Sequence, residues 1–96
     1  MTRRRAKIDV NQPEIVKNLR KLGYSVAVTS SLGKGFPDIL VGHNHKNFMF
    51  EIKDPNKPPS QVKLTDDELT FHRKWRGQIN TVFDAEEIIN LIKQGV

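Results

Sequence analysis

Gly35-Phe36-Pro37-Asp38-Ile39-Leu40-Val41-Gly42-His43-Asn44-His45-Lys46-Asn47-Phe48-Met49-Phe50-Glu51-Ile52-Lys53 is the stretch whose reading decides the fold. Residues 38–41 form a short apolar run, residues 42–47 are polar turn chemistry, and residues 48–52 return as a second apolar run. The pattern predicts an antiparallel hairpin with its turn near residues 43–46. Strand side chains alternate faces with period two, so Glu51 and Lys53 share one face while Phe50 and Ile52 take the other. Pairing residues 38–41 with 48–51 brings Asp38 close to Glu51.

Upstream, residues 1–9 read as a flexible basic arm. A helix is expected to begin near Pro13, since proline is tolerated in a first helical turn. Ile15, Val16, Leu19 and Leu22 recur at helical spacing, and Gly23 is a plausible stop. Residues 24–29 alternate and are rich in β-branched side chains, as a strand would be. Downstream, residues 54–60 carry three prolines, each fixing φ and removing a donor, and are expected to be an extended, non-helical excursion. Thr65 with Glu68 three residues on has the form of a capping box, followed by a helix through Phe71, His72 and Trp75 that Gly77 ends. Residues 79–83 suggest a last strand. Asp84 then caps a terminal helix with Ile88, Leu91 and Ile92 on its apolar face. The order α-β-β-β-α-β-α predicts an α/β domain over residues 10–96, a mixed sheet flanked by helices with the hairpin at its centre.

Composition bounds the function. The chain has 96 residues, of which 36% are hydrophobic, enough for one domain with a modest core. Its net charge of +5 and pI of about 9.8 favour a polyanionic partner. No apolar run reaches the roughly 18 residues needed to span a bilayer, and the basic N-terminus lacks the apolar stretch of a secretory signal. No cysteine is present, so disulfides and cysteine-ligated zinc are excluded. A cytoplasmic nucleic-acid partner, without a membrane, is the simplest expectation.

Two carboxylates a few ångströms apart repel unless a proton or a cation lies between them. A hard cation with oxygen ligands, Mg²⁺ or Mn²⁺, resolves that conflict at Asp38 and Glu51, and the Ile52 backbone carbonyl can add a further oxygen. Such a cation polarises a phosphoryl oxygen and lowers the pKa of water. Lys53 beside it can orient the attacking water or stabilise the developing anion. Glu14 on the first helix is a candidate third carboxylate. A blander reading exists for each motif: aspartate after proline is ordinary turn punctuation, and Glu-x-Lys on one strand face is an ordinary surface salt bridge. Against it, Asp and Lys are depleted in strands.

Taken together, Glu14-Ile15-Val16, Gly33-Lys34-Gly35-Phe36-Pro37-Asp38, Glu51-Ile52-Lys53-Asp54 and Leu64-Thr65-Asp66-Asp67-Glu68, leading into Phe71-His72 and Trp75-Arg76-Gly77, resemble the PD-(D/E)xK nuclease superfamily. More narrowly, the chain resembles the small stand-alone virus-type replication-repair nuclease (VRR-NUC) domains, many of them from phages. The resemblance runs from about Asp9 to Ile89. It implies a restriction-endonuclease-like αβββαβ core and divalent-metal-dependent DNA cleavage. It also implies a preference for branched DNA like that of Holliday junction resolvases, in DNA repair, recombination or phage replication, and action as a homodimer. By the same resemblance Asp38 and Glu51 are metal ligands, Lys53 is the catalytic lysine and Glu14 the first-helix acid. The family often has glutamine where this chain has Glu68. Glutamine both donates and accepts whereas ionised glutamate only accepts, so Glu68 is either a site residue or only the capping-box partner of Thr65.

Among the remaining residues, Arg3, Arg4 and Arg5 are expected to contact DNA backbone without sequence preference. Lys34, ahead of Asp38, is either a phosphate contact or a solvated loop lysine. His43 and His45 are expected to be solvated turn residues rather than a ligand pair. His72 can face the site or pack along its helix, and packing is favoured. Phe71 and Trp75, four apart, are expected in the core rather than as base-stacking residues. The alternative to an enzyme is a non-catalytic nucleic-acid-binding module on the same fold, which the basic charge supports equally well.

Overall fold

A hydrophobic stripe at helical spacing sets the first element of the computed structural model, which describes residues 9–96. Helix α1 (Gln12–Lys21) carries Pro13 in its first turn and buries Ile15, Val16 and Leu19 along one face. That stripe fixes the phase of the helix. Leu22, expected on the same face, instead caps the C-terminus and lies exposed, and the chain leaves through Gly23 at φ +97°.

Strand β1 (Ser25–Val28) is followed by a short 3₁₀ turn (Ser30–Leu32). The hairpin forms as β2 (Ile39–His43) and β3 (Lys46–Ile52), with Ile39 opposite Phe50 and His43 opposite Lys46. Asn44 and His45 both have positive φ, +53° and +63°. Left-handed backbone at both central residues is the signature of a type I′ turn, whose twist matches that of the flanking strands. Both turn histidines are exposed, and the His43 ring lies against Tyr24 at 4.7 Å.

The proline segment departs from expectation. Helix α2 (Pro59–Val62) is a single short turn entered from Pro58 in extended backbone. Proline suits that first position because no intrahelical N–H is required there. Helix α3 (Asp66–Lys74) has the expected capping box at Thr65 but ends before Gly77, with Trp75 already extended. The chain then returns so that the Gln78 side chain accepts from the Met49 N–H and donates to the Met49 carbonyl, both at 2.7 Å. An amide side chain thus continues the ladder that strand β4 (Asn80–Val82) makes with β3. Helix α4 (Ala85–Gln94) starts at Asp84, whose carboxylate accepts from the Glu87 N–H at 2.8 Å, and buries Ile88 and Ile92.

The sheet order is β1-β2-β3-β4, with the first two pairings antiparallel and the last parallel. This is the mixed sheet expected from the sequence. Ile39, Val41, Phe48, Phe50, Ile52 and Val82 meet α1 and α4 in one core. By strand alternation Met49, Glu51 and Lys53 project from the opposite face of β3. Among the described residues no helix is long and apolar enough to cross a membrane.

Candidate active site

Carrying the Ile39–Phe50 pairing one step further sets Asp38 opposite Glu51. The Asp38 N–H donates to the Phe50 carbonyl at 3.1 Å. Thr29 fixes the approach: its hydroxyl donates to the Pro37 carbonyl at 2.7 Å and its N–H to the Asp38 carbonyl at 2.8 Å. The Asp38 carboxylate then accepts from the Ile52 N–H at 2.7 Å through Oδ2. Glu51, only 2% exposed, leaves Oε1 buried without a hydrogen-bond partner. The Lys53 ammonium stands 3.9 Å from Glu51 Oε2 and 2.8 Å from Glu68 Oε1.

These groups line one cleft of about 280 Å³ that also includes Asp9, Ile52, Lys57, Gln61, Lys63 and Thr65. Its electrostatics follow from crowding carboxylates into a dry place. Burial, then the Asp38 charge, push the Glu51 carboxyl up to about 10. Asp38 is also raised, by burial first, with the Ile52 N–H pulling the other way. Burial works against the Lys53 ammonium, but the bonded Glu68 carboxylate overrides it and holds the lysine above its ordinary value. Burial opposes ionisation of Glu68 too, and Lys53 with the Thr65 N–H outweighs it, so Glu68 lies below the carboxylate norm.

Glu68 has two partners at one atom. Its Oε1 accepts from Lys53 Nζ and, at 2.9 Å, from the Thr65 N–H, while the Glu68 N–H donates to Thr65 Oγ1 at 3.2 Å. It is a capping-box residue and the anchor of Lys53 at once.

Other expected residues fall elsewhere. Glu14 is exposed and does not line the cleft. The face that buries Ile15, Val16 and Leu19 turns Glu14 toward solvent, so the structure does not bring it to Asp38 and Glu51. Lys34 is exposed on the loop before Asp38, outside the cleft lining. His72 is half-buried with an unpartnered Nε2. Burial pushes its imidazole below the ordinary value, against Glu68 and with Lys53. Arg3, Arg4 and Arg5 lie outside the described residues.

Three contributions were not assigned from the sequence. Asp9, counted in the basic arm, lines the cleft and pairs with Lys57 at 2.8 Å. Asn11 ties the start of α1 to the site by donating to the carbonyls of Lys53 and Phe83, at 3.1 and 3.0 Å. Gly35, at φ +81°, packs on the first turn of α3: a Cβ there would stand 2.2 Å from the Asp67 carbonyl oxygen. The glycine content of the loop was a signal, but its partner was not.

Among the described residues no cluster of three or more His, Cys, Asp or Glu side chains forms a metal-binding group. Two carboxylates beside a backbone segment still match what Mg²⁺ commonly takes from a protein, water and substrate completing the shell. The partnerless buried Glu51 Oε1 is the observation that fits a cation best.

No protein-family model matches the chain, and no curated protein does. Among solved structures it is similar to one described as a VRR_NUC domain, with 24% sequence identity and a TM-score of 0.60, over 88% of this chain and 92% of that one. The chain has the fold of a VRR_NUC domain.

Proposed function

We propose that this chain is a divalent-metal-dependent DNA endonuclease, hydrolysing phosphodiester bonds with a preference for branched DNA. The observation that carries the reading is the convergence of Asp38, Glu51 and Lys53 in one cleft, with a buried Glu51 oxygen lacking any partner. The likeness to a VRR_NUC domain supports it. So does the net charge of +5, which attracts a polyanion.

In this reading Asp38, Glu51 and the Ile52 backbone hold Mg²⁺ or Mn²⁺. The bound ion supplies Lewis acidity toward a phosphoryl oxygen and a lowered pKa for water. The chain does the rest. The Ile52 N–H fixes the Asp38 carboxylate in orientation. Glu68 keeps Lys53 charged and in place, so that its ammonium can stabilise the negative charge growing on the phosphoryl oxygens. Burial removes competing water and strengthens each of these interactions.

Action as a homodimer is part of the proposal, because two symmetric sites can cut two strands of a junction. The test is a cleavage panel of four-way, flap, nicked and linear duplex DNA in Mg²⁺, Mn²⁺ and EDTA, with sedimentation of the free protein. Metal-dependent cutting that favours the four-way form, by a dimer, is expected. Cutting that persists in EDTA, or none on any substrate, would overturn the reading. Equal cutting of linear duplex would remove the branched-DNA preference.

A further inference from the structure

Trp75 is the chain's single tryptophan. Expected in the core, it is 44% exposed. Its ring stacks on Phe71 with centroids 5.2 Å apart and planes at 16°, and Phe71 meets Phe36 edge-on at 5.3 Å. The three rings form a ladder from the loop ahead of Asp38 to the C-terminal end of α3. Gly77 leaves the indole its place, since a Cβ there would stand 2.9 Å from Nε1.

Arg73, Lys74 and Arg76 flank this ring in the chain, and all three are exposed. Among the described residues none of them enters an ion pair. Unpaired cations next in the chain to an exposed aromatic residue combine two attractions. The charges draw a phosphate backbone, and the ring offers a π-face to a base. In an intact duplex the bases already stack on one another, so the ring suits a base without a pairing partner. Trp75 lies seven residues beyond Glu68, about 10 Å along α3 at the helical rise. Glu68, near the other end of the same helix, bonds Lys53 in the cleft.

We propose that Trp75 stacks an unpaired nucleobase of a DNA strand whose phosphates run along Arg73, Lys74 and Arg76. The proposal rests on the reading of the chain as a DNA endonuclease and narrows its substrates to those with unpaired or splayed bases near the cut.

The single tryptophan makes the test direct. Wild-type emission is followed in EDTA, so that nothing is cut, while oligo-dT, a forked duplex and a blunt duplex are titrated. Binding of the same DNAs, fluorescently labelled, is followed by anisotropy for wild type, Trp75→Ala and Trp75→Phe, with circular dichroism to check folding. Saturable quenching by oligo-dT and the fork, and little by the blunt duplex, is expected. Trp75→Ala should weaken oligo-dT binding about tenfold, and Trp75→Phe much less. DNA binding without quenching, or unchanged affinity in a folded Trp75→Ala variant, would overturn the proposal. So would an emission shift with protein concentration alone, which would assign the ring to contact between copies. Quenching without cleavage in Mg²⁺ or Mn²⁺ would keep the stacking site and reject the nuclease. Failure to bind any DNA would reject both.

Discussion

Lys53 Nζ and Glu68 Oε1 lie 2.8 Å apart, joining the residue that follows β3 to the first turn of α3. The same oxygen closes the capping box on Thr65. One carboxylate therefore stabilises a helix start and holds a cation beside Glu51. Replacing it separates the two roles. Glu68→Ala removes both and is expected to cost about 1–3 kcal/mol in urea unfolding. Glu68→Gln keeps an acceptor for the Thr65 N–H and should retain more of that stability.

The two variants should also differ from wild type in the pH dependence of cleavage. Glu68 holds the Lys53 pKa above its ordinary value against burial. Without that charge burial acts with less opposition, so Lys53 should lose its proton at lower pH. The alkaline limb of the rate profile is expected to move toward neutrality in Glu68→Gln. An unmoved limb would mean that Lys53 charge does not set it.

Glu51 makes metal-free stability depend on pH. Its carboxyl is raised by burial and by Asp38 to about 10, from an ordinary 4.5. Between those values the folded state binds a proton that the unfolded state has released, so stability falls as pH rises. Urea unfolding in EDTA should show the protein losing stability from about pH 5 to about pH 8, and Glu51→Gln should flatten that slope. Mn²⁺ should stabilise wild type more at the higher pH, where it displaces no more than a weakly favoured proton.

Gly35 and Gly33 separate strain from clash. Both have positive φ, but a Cβ at Gly33 meets nothing within 4 Å, whereas one at Gly35 runs into the Asp67 backbone. Gly33→Ala should cost backbone strain alone, about 1–3 kcal/mol. Gly35→Ala should cost more, and should weaken cleavage in the folded fraction, because the displaced turn of α3 carries Glu68. Equal losses of stability in the two variants would contradict the close packing at Gly35.

Gln78 is expected to matter more than its place at the end of a loop suggests. Gln78→Ala leaves the Met49 N–H and carbonyl without their side-chain partner. Unfolding should show a loss of about 1–3 kcal/mol.

The features that sequence made legible are local ones. The hairpin follows from two apolar runs around a polar turn, and the juxtaposition of Asp38 with Glu51 follows from its register. The Thr65 capping box needs only a three-residue spacing. What escaped depends on tertiary placement. Glu14 was named as the first-helix acid by resemblance, and the phase set by Ile15, Val16 and Leu19 leaves it exposed, outside the cleft lining. Asp9 is carried into the cleft by the chain entering α1, which no periodicity records. The spacing of Phe71 and Trp75 fixes a shared helix face, yet not whether anything covers it, and Trp75 proves exposed. The roles of Gln78 and Gly35 exist only because distant segments meet them.

Single-turnover cleavage of a labelled four-way junction in Mn²⁺ by wild type, Asp38→Ala and Glu51→Ala tests the metal-dependent endonuclease most directly, with binding of the same DNA measured in EDTA. Each variant should lose at least about 100-fold in rate while binding within about threefold of wild type. Cleavage by both folded variants at the wild-type rate would contradict the assignment of Asp38 and Glu51 as the residues that hold the metal.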